Sequence, residues 1–362
     1  MQTALRKALI RIGQLLIDQD RAEILVEPRA REEGFWFGGG NICRDSAGDL
    51  WLVGRYRNGG DSRVGIEAGP RGAELALLRS TDGGETFQME FSFLKDDLAP
   101  EGETVLSIEG ASLVANDKGA KLFVSSEKKM GYPEAVAGHQ KPGTGTWSID
   151  VISASDISSL RAAKVHPAIG SEEPCFLHLK DPVVFELGHR PTMIYCSHPF
   201  SWASSNTGYA VNDGARWEDC ARSILMRGPA WDVAMCRVTA RLALPAVGML
   251  SARPAMSLYF YDGGECIHDH GGEVPRGYSC EEIGGLAAGC DEEFPHLERL
   301  SQTAPLFVSP HGTGCSRYAS IFEDEEHYLA TWQQSQPDKS QPLVVNRVGK
   351  EEVRQLLRDS LS

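Results

Sequence analysis

Five short segments of this chain are built alike and fall at nearly equal intervals. They are GDLWLVGRYR (48–57), GAKLFVSSEK (119–128), HRPTMIYCSH (189–198), AMSLYFYDGG (255–264) and EHYLATWQQS (326–335). Each is rich in β-branched or aromatic residues and follows a polar or glycine-bearing turn, the pattern of the second strand of a hairpin. With Leu52, Phe123, Ile194, Phe260 and Leu329 as equivalent positions, the intervals are 71, 71, 66 and 69 residues. Such regularity argues for repetition rather than a sandwich. A solenoid repeats at shorter periods and needs capping ends, whereas a four-stranded propeller blade with generous loops fits the interval. The expected fold is all-β: a five-bladed β-propeller over residues 21–348, with short helices in 1–20 and 349–362. Two unrelated β-sandwiches are the alternative.

The N-terminal stretch ALRKALIRIGQLLIDQD places Leu5, Leu9, Ile12 and Leu16 at helical spacing with Arg6, Lys7 and Arg11 between them. That is an amphipathic helix and lacks the unbroken apolar core of a signal peptide. No stretch approaches the ~20 apolar residues of a membrane span. A net charge of −14 disfavours nucleic acid and anionic membranes as partners. Nine cysteines occur without a C-x-x-C pair. Cys43, Cys175, Cys196, Cys236 and Cys266 sit in or beside apolar runs, as small hydrophobes would. The expected setting is a reducing, cytoplasmic one.

The stretch LLRSTDGGETF (77–87) falls where the first unit's third strand should turn into its fourth. Ser80 and Asp82 can bond to the turn's own amides, Gly83 and Gly84 supply positive φ, and Phe87 packs the hairpin on its blade. The motif resembles the Asp-box (BNR) of sialidases and other propeller proteins, which lies on the outer edge of a blade, away from ligand. It reads as scaffolding.

In a propeller the first strand of each blade lines the axis. Stepping back from each repeat reaches GGGNICRD with Asn41, SIEGASLV with Glu109, LKDPVVFE with Asp181 and GCSRYASIF with Arg317. The fourth unit points to VGMLSARPAM, with Arg253. Carboxylates and arginines at a channel mouth are costly unless used or paired with one another. The words EGASL and KDPVVF resemble inner-strand motifs of five-bladed glycoside hydrolases of the arabinanase and β-xylosidase type. The resemblance implies Glu109 as general acid and Asp181 as the carboxylate that tunes or complements it. The order of the two acids is reversed from that family, and Asn41 stands where an aspartate would be expected. Asp61, in YRNGGDSR (56–63), is the substitute base. Glycosidic cleavage needs one carboxyl protonated and another ionised, and two carboxyls in one desolvated pocket separate their pKa values in that sense.

Sialidases bind a substrate carboxylate with an arginine cluster, and Arg55, Arg57, Arg253, Arg276 and Arg317 are enough to build one. That family has six blades and a tyrosine–glutamate nucleophile, which the sequence does not place. An acidic sugar stays compatible with the arginines. By resemblance to five-bladed hydrolases, His311 in SPHGTGCSR (309–317) takes a pocket or axial role, as against a turn histidine. The resemblance implies no required cofactor and allows a structural calcium or sodium ion near the axis.

ECIHDHGGE (265–273) sets His268 and His270 on one side of a strand, but no distant ligand set accompanies them, so no metal is assigned. FGGG (37–40) lacks the lysine and helix of a phosphate loop and reads as close backbone packing. SPHGTGCS is not a nucleophile elbow, which argues against a serine hydrolase. Trp36, Tyr56, Trp202 and Trp332 fall near strand ends, where one or two could wall a sugar subsite. Glu281 and Glu282, in the acidic loop 276–300, could reach the pocket or form a solvated face. The expected function is an exo-acting glycoside hydrolase on a small, optionally acidic, carbohydrate. Glu109, Asp181 and Asp61 would be catalytic; Asn41, Arg55, Arg57, Arg253, Arg317 and His311 would bind substrate. The alternatives are a sialidase-like hydrolase and a non-catalytic sugar-binding propeller. Oligomeric state is not legible.

Overall fold

In a computed structural model the chain forms five antiparallel sheets around one axis; the structure describes residues 1–57, 71–214, 216–266 and 282–359. Blade I has an interrupted inner strand, Trp36–Gly38 and Ile42–Arg44, both paired with Leu50–Arg57, followed by Glu74–Ser80 and Gln88–Leu94. Blades II, III and IV are simple meanders whose inner strands are Val105–Asn116, His178–Leu187 and Met235–Ala243. Blade V is made from both ends of the chain. Ser316–Glu323, His327–Gln334 and Leu343–Gly349 are completed on the outside by Glu23–Val26, antiparallel to Leu343–Gly349. That pairing closes the ring non-covalently.

The five repeat anchors all lie in second strands, and Leu52, Phe123, Ile194, Phe260 and Leu329 are all buried. Second strands have a neighbouring blade on each face, so they read as continuous apolar runs such as Leu50–Val53. Fourth strands such as Gln88–Leu94 are largely exposed. Burying one anchor contributes roughly 1.5–3 kcal/mol. The N-terminal helix Thr3–Leu16 lays Leu5, Leu9, Ile12 and Leu16 into a core shared with blades IV and V and with Val353 and Leu357 of the C-terminal helix Lys350–Asp359.

The turn at 80–87 forms as its residues predict. Ser80 Oγ accepts from Gly84 N (2.8 Å), and Asp82 accepts from Ser80 Oγ (2.6 Å), Thr86 N (3.0 Å) and Thr86 Oγ1 (2.6 Å). Gly83 and Gly84 have φ of 76° and 88°, and Phe87 packs on the blade I–V core. The turn joins the third and fourth strands of blade I on the face opposite the start of the inner strands.

One reading of the inner strands is corrected. VGMLSARPAM is the long connection between the first and second strands of blade IV, and the inner strand lies earlier, in AMCRVTARLAL (234–244). The repeat places second strands; it reaches the inner strand only where the hairpin between them is short. In blade II that hairpin closes at Asn116–Gly119, whereas in blade IV residues 244–255 intervene.

Candidate active site at the axial mouth

Each inner strand is disturbed near its N-terminal end. In blades II, III and V two residues oppose one on the second strand: Glu109–Gly110, Asp181–Pro182 and Tyr318–Ala319. Bulges of this kind re-aim side chains. Asp181 and Tyr318 both have φ of 52°, a left-handed conformation that the surrounding contacts must hold. Only glycine fits at 110, where a Cβ would lie 2.5 Å from Asp181 Oδ1, and at 40, where it would meet Val53 O at 2.0 Å. FGGG is therefore close backbone packing at the axis, as expected.

Hydrogen bonds pass from blade to blade around these bulges. Ala111 N donates to Gly39 O (2.8 Å), Gly110 N to Asp181 Oδ1 (3.1 Å), Arg237 Nη1 to Asp181 Oδ2 (3.0 Å), and Tyr318 N to Asp262 Oδ2 (3.1 Å). Phe37 N donates to Gln341 O (3.1 Å), joining blade V to blade I. Below this layer all five inner strands line a cavity of about 220 Å³ that includes Asn41, Ser112, Thr239 and Ser320.

The charged cluster lies at this level and above it. Arg237 contacts three carboxylates: Asp181 (3.0 Å), Asp262 (2.7 Å) and Glu282 (3.1 Å). Its Nη1 also donates to Tyr318 Oη (3.0 Å), and its guanidinium lies 3.9 Å from the Tyr318 ring centroid. Glu282 pairs in addition with Arg317, which donates to Gln333 Oε1 (2.6 Å) and Gln341 Oε1 (3.1 Å). Glu109 accepts from Arg55 Nη2 (2.8 Å), and Lys180 Nζ is 3.8 Å from its other oxygen. Trp36 lies beneath Arg55 and Arg317, at 4.4 and 5.1 Å.

Exposure separates the acids into two pairs. The side chains of Glu109 and Glu282 are 19% and 16% accessible, whereas those of Asp181 and Asp262 are 5% and 3%. Burial opposes charge on Glu109, but the fields of Arg55, Lys180 and Arg237 outweigh it and hold the carboxyl down at about 2. Burial pushes Asp262 up to about 6 against the pull of Arg237, with Glu282 adding to the rise. Burial also keeps the Tyr318 hydroxyl protonated, with help from the carboxylates around it.

Beside Glu109, blade III contributes an aromatic group. The Trp202 ring stacks on His178 at 4.4 Å and packs against His198 at 4.5 Å. Tyr132 Oη lies 3.3 Å from His178 Nε2. Burial, reinforced by Lys180, drops His178 to about 3 and lowers His198 likewise, so both imidazoles are neutral.

The structure brings Glu109, Asp181, Arg55 and Arg317 of the expected set together. Arg57 ends its strand opposite Trp36. Asn41 stands on the axis, but its amide binds the backbone of Leu113, accepting from N (2.8 Å) and donating to O (2.9 Å); it fastens blade I to blade II. Arg253 lies in the exposed blade IV connection, bonded to Met249 O and Gln2 Oε1, beyond the far end of the inner strand that carries Arg237. His311 is on an exposed turn closed by Gly314 N to His311 O (3.0 Å), which fits the turn reading. Asp61, Arg276, Glu281, His268 and His270 lie outside the described residues. Cys175, expected in an apolar setting, is exposed. Among the described residues no group of three or more His, Cys, Asp or Glu is disposed to hold a metal ion.

Arg237, Asp262, Lys180 and Tyr318 were not singled out from the sequence. Arg237 sits in a period-2 strand pattern that the repeat stepped over. Asp262 is a lone carboxylate ending the apolar run LYFY, and it faces Arg237 in strand register. Those two signals were available.

No known protein family and no curated protein matches this chain in sequence. Solved structures do match in fold. A β-1,2-mannobiose phosphorylase from Listeria innocua, in complex with β-1,2-mannobiose, aligns at TM-score 0.54 over 94% of each chain with 12% identity. An α-L-arabinofuranosidase from Lactobacillus brevis aligns at 0.56 over 89% of this chain and 92% of that one, with 11% identity. The Penicillium chrysogenum α-L-arabinanase complexed with arabinobiose aligns at 0.53 over 92% and 98%, with 10% identity. At such identities the likeness is one of fold. The chain is a five-bladed β-propeller whose axial mouth carries a cluster of carboxylates and guanidinium groups.

Proposed function

We propose that the protein is a carbohydrate-active enzyme that cleaves the glycosidic bond of a small glycoside at the axial mouth, acting at a chain end. The observation that carries this reading is the gathering of Glu109 and Glu282, both open to the mouth, around an arginine system that also holds two buried aspartates. Glu109, kept ionised by Arg55 and Lys180, suits the base or nucleophile better than the proton donor inferred from its motif. Asp181, Asp262 and Glu282 gather on Arg237, and burial, with Glu282 nearby, raises Asp262, the member of the cluster disposed to hold a proton. Glu282, bound by Arg237 and Arg317, is the member of that cluster facing the mouth and the second carboxylate of the proposed pair. Asp181, bound by Gly110 N and Arg237, orients the group. Trp202, which is partly exposed, supplies a wall for sugar C–H faces.

The test is a panel of nitrophenyl glycosides, furanosides, pyranosides and uronides, assayed with and without inorganic phosphate. Turnover of at least one member is expected, falling by at least ~10²-fold in Glu109→Gln and Glu282→Gln. Glycan binding without turnover of any member would make the protein a non-catalytic sugar-binding propeller.

A sialidase-like reading has one observation in its favour: Arg55, Arg237 and Arg317 converge, with Tyr318 among them. Each of those arginines is already bound to a carboxylate of this chain, and the phenol is held protonated. The acid–base reading therefore takes precedence.

A further inference from the structure

We propose that Lys180 recognises a carboxylate carried by the sugar bound at the axial mouth, so that the preferred substrate is a uronide. The inference rests on the glycoside reading above and names the substrate class of the same site.

Lys180 is 8% exposed, and its ammonium makes no hydrogen bond among the described residues. Its charged neighbour is Glu109, whose Oε1 is 3.8 Å away, beyond hydrogen-bonding distance. Otherwise the ammonium faces two indole rings, with centroids at 4.7 Å for Trp147 and 5.3 Å for Trp202. Cation–π attraction offsets part of the desolvation, but it engages none of the ammonium's N–H donors in a hydrogen bond within the described protein. The other mouth cations differ in this respect: Arg55, Arg237 and Arg317 each donate to a carboxylate. Among the described residues of the mouth, Lys180 is the cation whose donors remain for a ligand.

The surroundings are built rather than incidental. Trp202 is held with φ of 58°, a strained conformation for an aromatic residue, by its stack on His178 and His198. Both imidazoles are buried and neutral and add no competing charge. An oxyanion at this point could come from the sugar itself or from free inorganic phosphate. The nearby Glu109 charge disfavours a phosphate, which carries between one and two negative charges at neutral pH, more than a single carboxylate. A single carboxylate, tethered to a ring resting on Trp202, meets the donors at lower electrostatic cost.

The test is calorimetric binding of methyl glucuronide and methyl galacturonide against methyl glucoside, methyl galactoside and phosphate. In the wild-type protein at least one uronide is expected to bind at least ~10-fold tighter than its neutral parent, about 1.4 kcal/mol. Lys180→Met should erase that preference, bringing the affinity ratio of uronide to neutral parent to about one; Lys180→Arg should keep most of it. Equal affinity for uronide and parent in the wild type overturns the proposal without any variant. So does a preference that survives Lys180→Met, or binding of phosphate alone. A uronide preference without turnover would remove the catalytic reading and keep this one. Turnover of neutral glycosides without the preference would do the reverse.

Discussion

Nη1 of Arg237 stands 3.0 Å from Oδ2 of Asp181, and this contact joins blades III and IV at the axis. Asp181 reaches back to Gly110 of blade II, and Arg237 reaches on to Tyr318 of blade V. A buried ion pair thus lies in the closure of the ring as well as in the candidate site.

Removing the guanidinium should therefore affect both. Arg237→Met leaves Asp181, Asp262 and Glu282 without their shared cation, and loss of one partner of a buried pair costs about 3–5 kcal/mol. Urea unfolding at pH 7 should show this loss, with a smaller one at pH 5, where the stranded carboxyls can protonate. A variant as stable as the wild type at both pH values would remove the bridging role.

Glu109→Gln and Asp181→Asn should each lower turnover by at least ~10²-fold with the circular dichroism spectrum unchanged. If catalysis is carried as proposed, an external anion such as azide or formate should partly restore Glu109→Gln or Glu109→Ala. Near-normal rates in both substitutions would dismiss the base or nucleophile role of Glu109 and the orienting role of Asp181.

The pH dependence of stability has opposing parts. His178 and His198 stay neutral in the fold, while free imidazoles take up protons near 6.5, so stability falls as pH drops below 6.5. Asp262, raised to about 6 from an ordinary 3.8, acts in the other sense: its contribution is complete below 3.8 and is lost as pH rises through 6. Glu109, lowered to about 2, contributes above 4.5 and loses that contribution as pH falls toward 2. Melting temperature between pH 7 and 5 should decline more gently in His178→Asn than in the wild type. A pH–rate profile should carry a limb near 6 that Asp262→Asn removes.

The N-terminal segment is required for closure. Leu9→Ala empties a fully buried position and should cost about 2–5 kcal/mol by urea unfolding. Deleting residues 1–26 exposes the edge of Leu343–Gly349 as well, so size-exclusion chromatography should show aggregation. A monomeric truncated protein with the wild-type melting temperature would contradict the closure by Glu23–Val26.

Asp82→Ala tests the scaffolding turn. It removes three hydrogen bonds on the face opposite the mouth, and the partners of this carboxylate also hold its pKa well below the usual range. A lower melting temperature with unchanged activity is expected. Loss of activity in a fully folded variant would point to a functional role for the turn.

Much of this architecture could be read from residues alone, because it depends on local rules. Apolar runs recurring near 70 residues placed every second strand, and helical spacing placed Leu5, Leu9, Ile12 and Leu16 on a buried face. Ser80, Asp82 and the two glycines specified a turn through bonds spanning only a few residues. The site was legible in part: Glu109, Asp181 and Arg317 stand at the start of inner strands that the repeat reaches. Arg237 was missed because its hairpin is long. Spacing alone favoured Arg253, which lies just before Met256, where the second strand of blade IV begins.

What only the tertiary structure decided is which charges meet. Arg237 is 56 residues from Asp181 and 25 from Asp262, and Glu109 is 54 from Arg55. No local rule links such positions; they become neighbours because closing five blades brings the inner strands to one axis. Their charge states follow from that closure, since burial sets the cost of each charge and the converging partners decide whether it is met. For the same reason Lys180 reads in the sequence as an ordinary strand lysine, and only the closed ring leaves its donors facing the mouth.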